Sequence, residues 1–288
     1  MEEQIFSNLF VENAFFEGFK EIGSTEVYHE MEVDGIKICR INVRNEAEAK
    51  ATNCKLGNHV TLYIPKLWRI ANGELERISA HLSEELSRML KRLVGGTLNG
   101  RCFLIAGLGN PNIASDSIGP LTVDKINVTR RIGAHDGCSV CAVRCGVMGE
   151  TGITSAELIG GIVREIRPHA VVAIDSLAAR SHEKLGATVQ LSDGGIVPGA
   201  GIGNRQHAID REALGVPVVA VGVPTVVSVA ALICGTLEKY EMLKKDERLS
   251  AVLDKEKRFF VSPGECDMIA KASSYLLSSA LNKTFGTE

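Results

Sequence analysis

The sequence predicts an α/β fold: a mainly parallel, doubly wound sheet with helices on both faces and a β-hairpin added near the N-terminus. Three observations predict it. Continuous Val/Ile/Leu runs recur after Arg101, as in strands buried on both faces of a parallel sheet. Helical spacing follows most of these runs, so strands and helices alternate. Residues 27–43 instead form two alternating runs joined by Asp34-Gly35, the pattern of a hairpin with a two-residue turn.

The chain is predicted to divide into three segments. They are a leader and N-terminal segment over 1–24, a hairpin and helix elaboration packed on the core over 25–98, and the α/β core over 99–288. Within the elaboration, a further strand is expected over 59–64 and a helix over 72–93. Apolar residues recur at helical spacing through that helix, and Gly95-Gly96 ends it.

Strands and helices are expected to alternate through the core. Predicted strands are 102–107, 138–146, 170–174, 187–191 and 216–221, and predicted helices are 119–132, 154–166, one from Thr225 and 263–281. Thr154 and Glu157 are spaced as a capping box, which marks the start of the second helix. Residues 193–204 are too rich in glycine for regular structure, and the charged stretch 238–258 is expected to be a solvated excursion.

Composition argues against several classes of function. The formal net charge of −3 argues against nucleic acid as a direct partner, because binding phosphates requires a basic face. Pro217, Gly222 and Pro224 interrupt the longest apolar stretch, so no membrane partner is expected. The N-terminus shows no secretory signal, and the 8 scattered cysteines then indicate reduced thiols in a cytoplasmic protein.

Cys138, Cys141 and Cys145 have a C-x2-C-x3-C spacing that could begin a metal or iron–sulfur site. No fourth ligand follows at a suitable spacing. The segment favours a strand, on which Cys141 and Cys145 share one face while Cys138 points to the other. We therefore interpret all three as small apolar side chains rather than ligands.

Two aspartates mark the expected functional edge of the sheet. Asp116 follows the apolar run 103–109, and Asp175 ends the run 170–175. Open α/β sheets bind ligands beyond the carboxyl ends of their strands, so both carboxyls are expected in one crevice. Two adjacent carboxylates cannot both ionise cheaply, which allows one to take a proton from water while the other donates one. Taken alone, each aspartate also suits the cap of a following helix.

Further residues complete the predicted site. Substrate is expected to contact Asn110 and the glycine-rich loop, at Gly199, Gly201, Gly203 and Asn204. The loop's backbone N–H groups suit an oxyanion or an extended main chain, and a plain connecting loop is the alternative. Supporting roles are assigned to Arg180, which can pair with a carboxylate, and to Asp193. The glycines before Asn110 lack the third glycine of a dinucleotide-binding fingerprint.

Several longer motifs resemble the germination protease family of endospore-forming bacteria. In chain order they are 107–110 with 116–120, 146–153, 173–180, 190–194, 198–204, 214–217, 222–227 and 260–263. The motifs recur together and in order through the greater part of the chain. The resemblance is therefore specific.

The resemblance implies an atypical aspartic endopeptidase that degrades small acid-soluble spore proteins at germination. It implies a homotetramer in the spore core, with catalytic aspartates at Asp116 and Asp175, and no cofactor is expected. The family's fold is similar to that of hydrogenase-maturation proteases, whose equivalent carboxylates contact a metal. The alternatives are a metal-assisted peptidase with a divalent metal on the same two aspartates, and a catalytically silent relative that binds proteins.

The chain departs from the family's pattern in two places. The family removes a short leader after an acidic residue, whereas Asn8 stands where the acid would be and Phe10 where a small residue would be. Activation is therefore expected to differ or to be absent. The excursion before Phe260 is also shorter than usual, which affects either subunit contacts or access to the site.

Overall fold

The computed structural model describes residues 28–52, 54–131, 137–179, 181–199, 207–239, 252–253, 255–256 and 258–287. The strands in this part of the chain are β1 (Tyr28–Val33), β2 (Ile36–Val43), β3 (Gly57–Tyr63), β4 (Cys102–Gly107), β5 (Ser139–Arg144), β6 (Ala170–Ala179), β7 (Thr188–Ser192), β8 (Val218–Ser228) and β9 (Phe260–Val261). They form one sheet in the order β1-β2-β3-β7-β8-β6-β4-β5, and β9 pairs with β8.

Helices join and cover these strands. They are α1 (Glu46–Thr52), α2 (Asn72–Val94), α3 (Ile118–Val123), α4 (Met148–Thr151), α5 (Ser155–Ile166), α6 (Arg211–Leu214), α7 (Val229–Lys239) and α8 (Cys266–Phe285). A short 3₁₀ helix, Ala114–Asp116, lies between β4 and α3. No helix within the described ranges is long and apolar enough to cross a membrane.

The centre of the sheet is a parallel unit of four strands, β8, β6, β4 and β5. Its side chains alternate between two cores. Phe103 and Val172 face a core covered by α2, α3 and α8, whereas Leu104 and Val171 face a core covered by α5. Burial on both faces explains the continuous apolar runs in the sequence. The predicted α/β class, with helices on both faces of the sheet, is confirmed.

The remaining pairs are antiparallel, so the sheet as a whole is mixed. β7 runs antiparallel to both β8 and β3, and β2 and β1 extend the sheet beyond β3. Only residues 180–187 separate β6 from β7. A parallel crossover needs about a dozen residues or more, so β7 turns back instead.

The predicted hairpin is confirmed. Asp34 and Gly35 have φ values of 52° and 75°, as a type I′ turn requires. The predicted helix over 72–93 is also confirmed, and it ends where Gly95 adopts a left-handed φ of 72°. The domain boundary at residue 98 stays a prediction. The strands β3 and β7, which lie on its two sides, pair in one sheet. Residues 1–24, with Asn8 and Phe10, lie outside the described residues.

Three predicted boundaries in the core are wrong. The helix expected over 119–132 ends at Val123, because the chain beyond it bonds to other elements: the Thr129 backbone N–H donates to the Val140 carbonyl at 3.0 Å. β6 continues past residue 174 because it stays paired with β8 through Ala179. For the same reason, Thr225 does not begin a helix but lies inside β8, and α7 starts at Val229.

Candidate active site

Asp116 and Asp175 lie together at the carboxyl end of the parallel strands. The loop after β4 carries Asp116 in the 3₁₀ helix Ala114–Asp116, which contacts β6 and β8. Asp175 lies within β6, opposite Gly222 of β8. The charge of Asp116 is near enough to raise the pKa of Asp175. The structure thus places the predicted pair close enough for their charges to interact.

Asp175 is the more deeply buried member of the pair, with 8% of its surface exposed. Burial first, and the charge of Asp116 second, raise the pKa of Asp175 to about 8. One hydrogen bond opposes this shift, from the Ser176 backbone N–H to Asp175 Oδ1 at 2.9 Å. Asp175 therefore keeps its proton at neutral pH.

Asp116 is only partly buried. Burial raises the pKa of Asp116 above its ordinary value, and a hydrogen bond from the Asn110 backbone N–H opposes that shift. This bond reaches Asp116 Oδ2 at 2.7 Å and stabilises the ionised carboxylate. The two carboxyls therefore differ in environment, and Asp116 is the one that ionises first.

Two features fix the turn that carries Asp116. Gly109 has a φ of 102°, and a Cβ at this position would lie 2.1 Å from the Asp116 carbonyl oxygen, so only glycine fits. From the other side, the Thr225 hydroxyl donates to the Ser115 carbonyl at 2.6 Å. Thr225 is the extra residue of a β-bulge, because β6 pairs first with Pro224 and next with Val226. The bulge directs Thr225 toward the turn.

Cys145 lies beside the aspartate pair. Burial first, and the charge of Asp175 second, raise the pKa of its thiol to about 12. Cys141 and Cys145 pack on the α5 side of the sheet, whereas Cys138 packs in the opposite core, so their predicted strand faces are confirmed. Among the described residues, no group of three or more His, Cys, Asp or Glu side chains is arranged to hold a metal ion.

Comparison with known proteins places the chain in a family. The model of the germination protease family matches residues 12–283. The germination protease of Clostridium tetani is 38% identical over 234 residues, which cover 78% of this chain and 69% of that protein. The chain belongs to the germination protease family. The predicted resemblance is confirmed.

Other family members match over different lengths. The germination protease of Clostridium acetobutylicum is 34% identical over 279 residues, covering 87% of this chain and 85% of that protein. The germination protease of Geobacillus sp. strain WCH70 is 38% identical over 220 residues, covering 74% of this chain but only 58% of that protein. The chain thus spans little more than half the length of some curated relatives. By its name, the family is one of peptidases.

Two of the predicted supporting and binding residues are engaged within the protein. Asn110 is buried at the site, where its Nδ2 donates to Glu150 Oε1 at 2.9 Å and its Oδ1 accepts from the Asn112 backbone N–H at 2.8 Å. Asp193 is not brought to the aspartate pair. Because β7 is antiparallel to β8, the carboxyl end of β7 points toward the amino ends of the parallel strands, away from the aspartate pair. There, Asp193 accepts hydrogen bonds from Asn58 and Arg92.

The glycine-rich loop is described in part. Gly199 has a φ of 70°, while Gly201, Gly203 and Asn204, like Arg180, lie outside the described residues, so their roles stay predictions. After this gap, the chain returns near the N-terminus of α5. There, hydrogen bonds from Thr154 and, more weakly, the charge of His207 lower the pKa of Glu157. The predicted capping box at Thr154 is confirmed.

Two site residues were missed in the sequence. Glu150 contacts Asn110, and Thr225 holds the turn of Asp116. Both lie inside germination protease motifs, 146–153 and 222–227, so the motifs were a usable signal. The position of Thr225 after Pro224 predicts the start of a helix rather than a strand, and Glu150 is exposed and distant in sequence from Asn110.

Proposed function

We propose that this chain is an endopeptidase in which Asp116 and Asp175 hydrolyse a peptide bond with one water molecule. One observation carries the proposal: the two carboxyls lie close enough for the charge of Asp116 to act on Asp175, and this charge, together with the burial of both carboxyls, gives them different affinities for protons. This is the arrangement that acid–base hydrolysis requires. The protonation states belong to the pair, which titrates in two coupled steps.

The environments of the two carboxyls assign their roles. Asp116, ionised and hydrogen-bonded by the Asn110 N–H, takes a proton from the attacking water. The protonated Asp175 donates a hydrogen bond to the scissile carbonyl oxygen and stabilises the negative charge that develops there. When the tetrahedral intermediate collapses, the C–N bond breaks and a proton from the pair passes to the leaving nitrogen, which restores the starting state.

We propose small acid-soluble spore proteins as the substrates, on the basis of family membership. Proteins that are largely unfolded offer an extended backbone to a cleft without prior unfolding. Exposed apolar side chains lie close in the chain to the site residues, namely Ile113 before Asp116, and Met148 and Ile153 on either side of Glu150, and they suit such a segment. A homotetramer in the spore core, and an activation step that differs from the family's leader removal, are further proposals from the same resemblance.

Incubation of the purified chain with a small acid-soluble spore protein, with product identification by mass spectrometry, tests the function. We expect internal cleavage, and a loss on the order of 10²–10⁴-fold in Asp116→Asn and in Asp175→Asn. Circular dichroism establishes that each variant is folded. Undiminished cleavage by both folded variants would overturn the assignment. If wild type leaves the substrate intact but binds it, the chain is a silent relative.

A chelator separates the two enzymatic mechanisms. Each carboxylate has one oxygen bonded to a backbone N–H, from Asn110 or Ser176, so one oxygen of each remains for a divalent ion. Such an ion would polarise the scissile carbonyl. Activity that is lost on chelation and restored by a divalent metal would replace the metal-free mechanism. Activity that persists in chelator supports the aspartate pair acting alone.

A further inference from the structure

A chain of two hydrogen bonds connects the protein surface to Asp116. The exposed side chain of Glu150, on α4, accepts from Asn110 Nδ2 at 2.9 Å through Oε1. Asn110 in turn donates its backbone N–H to Asp116 Oδ2 at 2.7 Å. Asn110, which links the exposed Glu150 carboxylate to the Asp116 carboxyl, is itself buried, with 8% of its surface exposed.

The direction of the Asn110 N–H depends on how its residue is held. The preceding residue, Gly109, has a left-handed φ of 102°, so the orientation of the Gly109–Asn110 peptide depends on a conformation that glycine adopts readily. Asn110 Oδ1 accepts from the Asn112 N–H, which shapes the loop after β4. Nδ2 is bonded to Glu150, which lies on α4 in the connection after β5. The contact thus ties the loop after β4 to α4 at the residue that donates to Asp116.

We propose that Glu150 is a positioning residue for the hydrolysis: by anchoring the Asn110 side chain, it aims the Asn110 N–H at Asp116. This inference rests on the proposed function. Because Asn110 presents an amide N–H, the role requires an acceptor oxygen at position 150 and not a negative charge. Glutamine retains that oxygen and alanine removes it.

Steady-state kinetics with the same spore protein test the inference in three variants. Glu150→Ala is expected to lower kcat on the order of tenfold with KM within about twofold, because the hydrogen bond that orients Asp116 and keeps it ionised as the base is misaligned. Glu150→Gln is expected to stay within about twofold of wild type. Glu165→Ala, which removes an exposed glutamate from the far end of α5, is the matched control and should leave both constants unchanged. Thermal unfolding verifies that all three variants fold.

A double-mutant cycle with Asn110→Ala supplies the second readout. If Glu150 acts through Asn110, adding Glu150→Ala to Asn110→Ala lowers kcat by less than about twofold. The inference would be overturned if the losses in kcat of the two single variants multiply in the double variant. It would also be overturned if Glu150→Ala raises KM at unchanged kcat, which indicates a substrate contact, or if Glu150→Gln does not retain the wild-type kcat. The proposed function fails separately, if folded Asp116→Asn and Asp175→Asn both cleave the substrate undiminished. If both of those variants lose activity but Glu150→Ala behaves as wild type, only this inference fails.

Discussion

Replacing Asp175 by Asn removes the carboxyl of the pair that the fold keeps protonated at neutral pH. Burial and the charge of Asp116 raise the pKa of Asp175 from 3.8 to about 8. Between these two values the folded protein binds one proton more than the unfolded chain. The free energy of unfolding therefore falls as pH rises through this window. Asparagine has a similar volume and does not titrate, so Asp175→Asn lacks this loss.

The magnitude follows from the width of the window. One proton changes the free energy of unfolding by about 1.4 kcal/mol per pH unit. From pH 5 to pH 8 the wild-type protein therefore loses up to about 4 kcal/mol relative to Asp175→Asn. This is a ceiling, because water penetration and relaxation of the site reduce the cost of a buried charge.

Urea denaturation of both proteins at pH 5, 6, 7 and 8 measures this difference, and titrations common to the two proteins cancel. We expect the stability of the variant relative to wild type to increase steadily with pH. Asp116→Asn is the matched control: it keeps Asp175 but removes the neighbouring charge, so its decline with pH should end at a lower pH. A wild-type-to-variant difference that is constant from pH 5 to pH 8 would refute the protonated Asp175.

Three further substitutions test how the site and the sheet are held. Gly109→Ala places a Cβ 2.1 Å from the Asp116 carbonyl oxygen at a φ of 102°. It should lower the free energy of unfolding by about 2 kcal/mol or more and abolish cleavage. An active, fully stable variant would contradict the tight turn. Thr154→Ala removes the N-terminal cap of α5 and should lower the free energy of unfolding, measured by urea denaturation, by about 1 kcal/mol. An unchanged free energy of unfolding would argue against the cap. Glu85→Ala removes the two hydrogen bonds, of 2.9 and 2.6 Å, that Arg40 donates to the Glu85 carboxylate. It should lower the free energy of unfolding by about 3 kcal/mol in the same assay. A decrease of less than about 1 kcal/mol would show that the ion pair is dispensable.

Local patterns in the sequence were sufficient for much of the fold and for the aspartate pair. Alternation and the Asp34-Gly35 turn predicted the hairpin, and apolar runs predicted the parallel strands. The rule that parallel strands end at one edge brought Asp116 and Asp175 together without any knowledge of their contacts. These signals are short-range, or they depend on a property shared by all strands of the unit.

Features that depend on pairing partners were not predictable. Pro224-Thr225 has the local pattern of a helix start, but pairing with β6 keeps both residues in a strand and makes Thr225 a bulge. The direction of β7 is not encoded in its own residues, so Asp193 could not be assigned to the edge that it occupies. The contact between Asn110 and Glu150 joins the loop after β4 to α4, and neither residue has a local pattern that points to the other.

The central claim is that one carboxyl of the pair is ionised while the other is protonated, and the pH dependence of kcat/KM for peptide cleavage tests it most directly. We predict a bell-shaped profile. Its acid side falls as Asp116 is protonated, and its alkaline side falls near pH 8, where Asp175 loses its proton. A rate that stays level well above pH 8 would show that no protonated carboxyl takes part in the reaction.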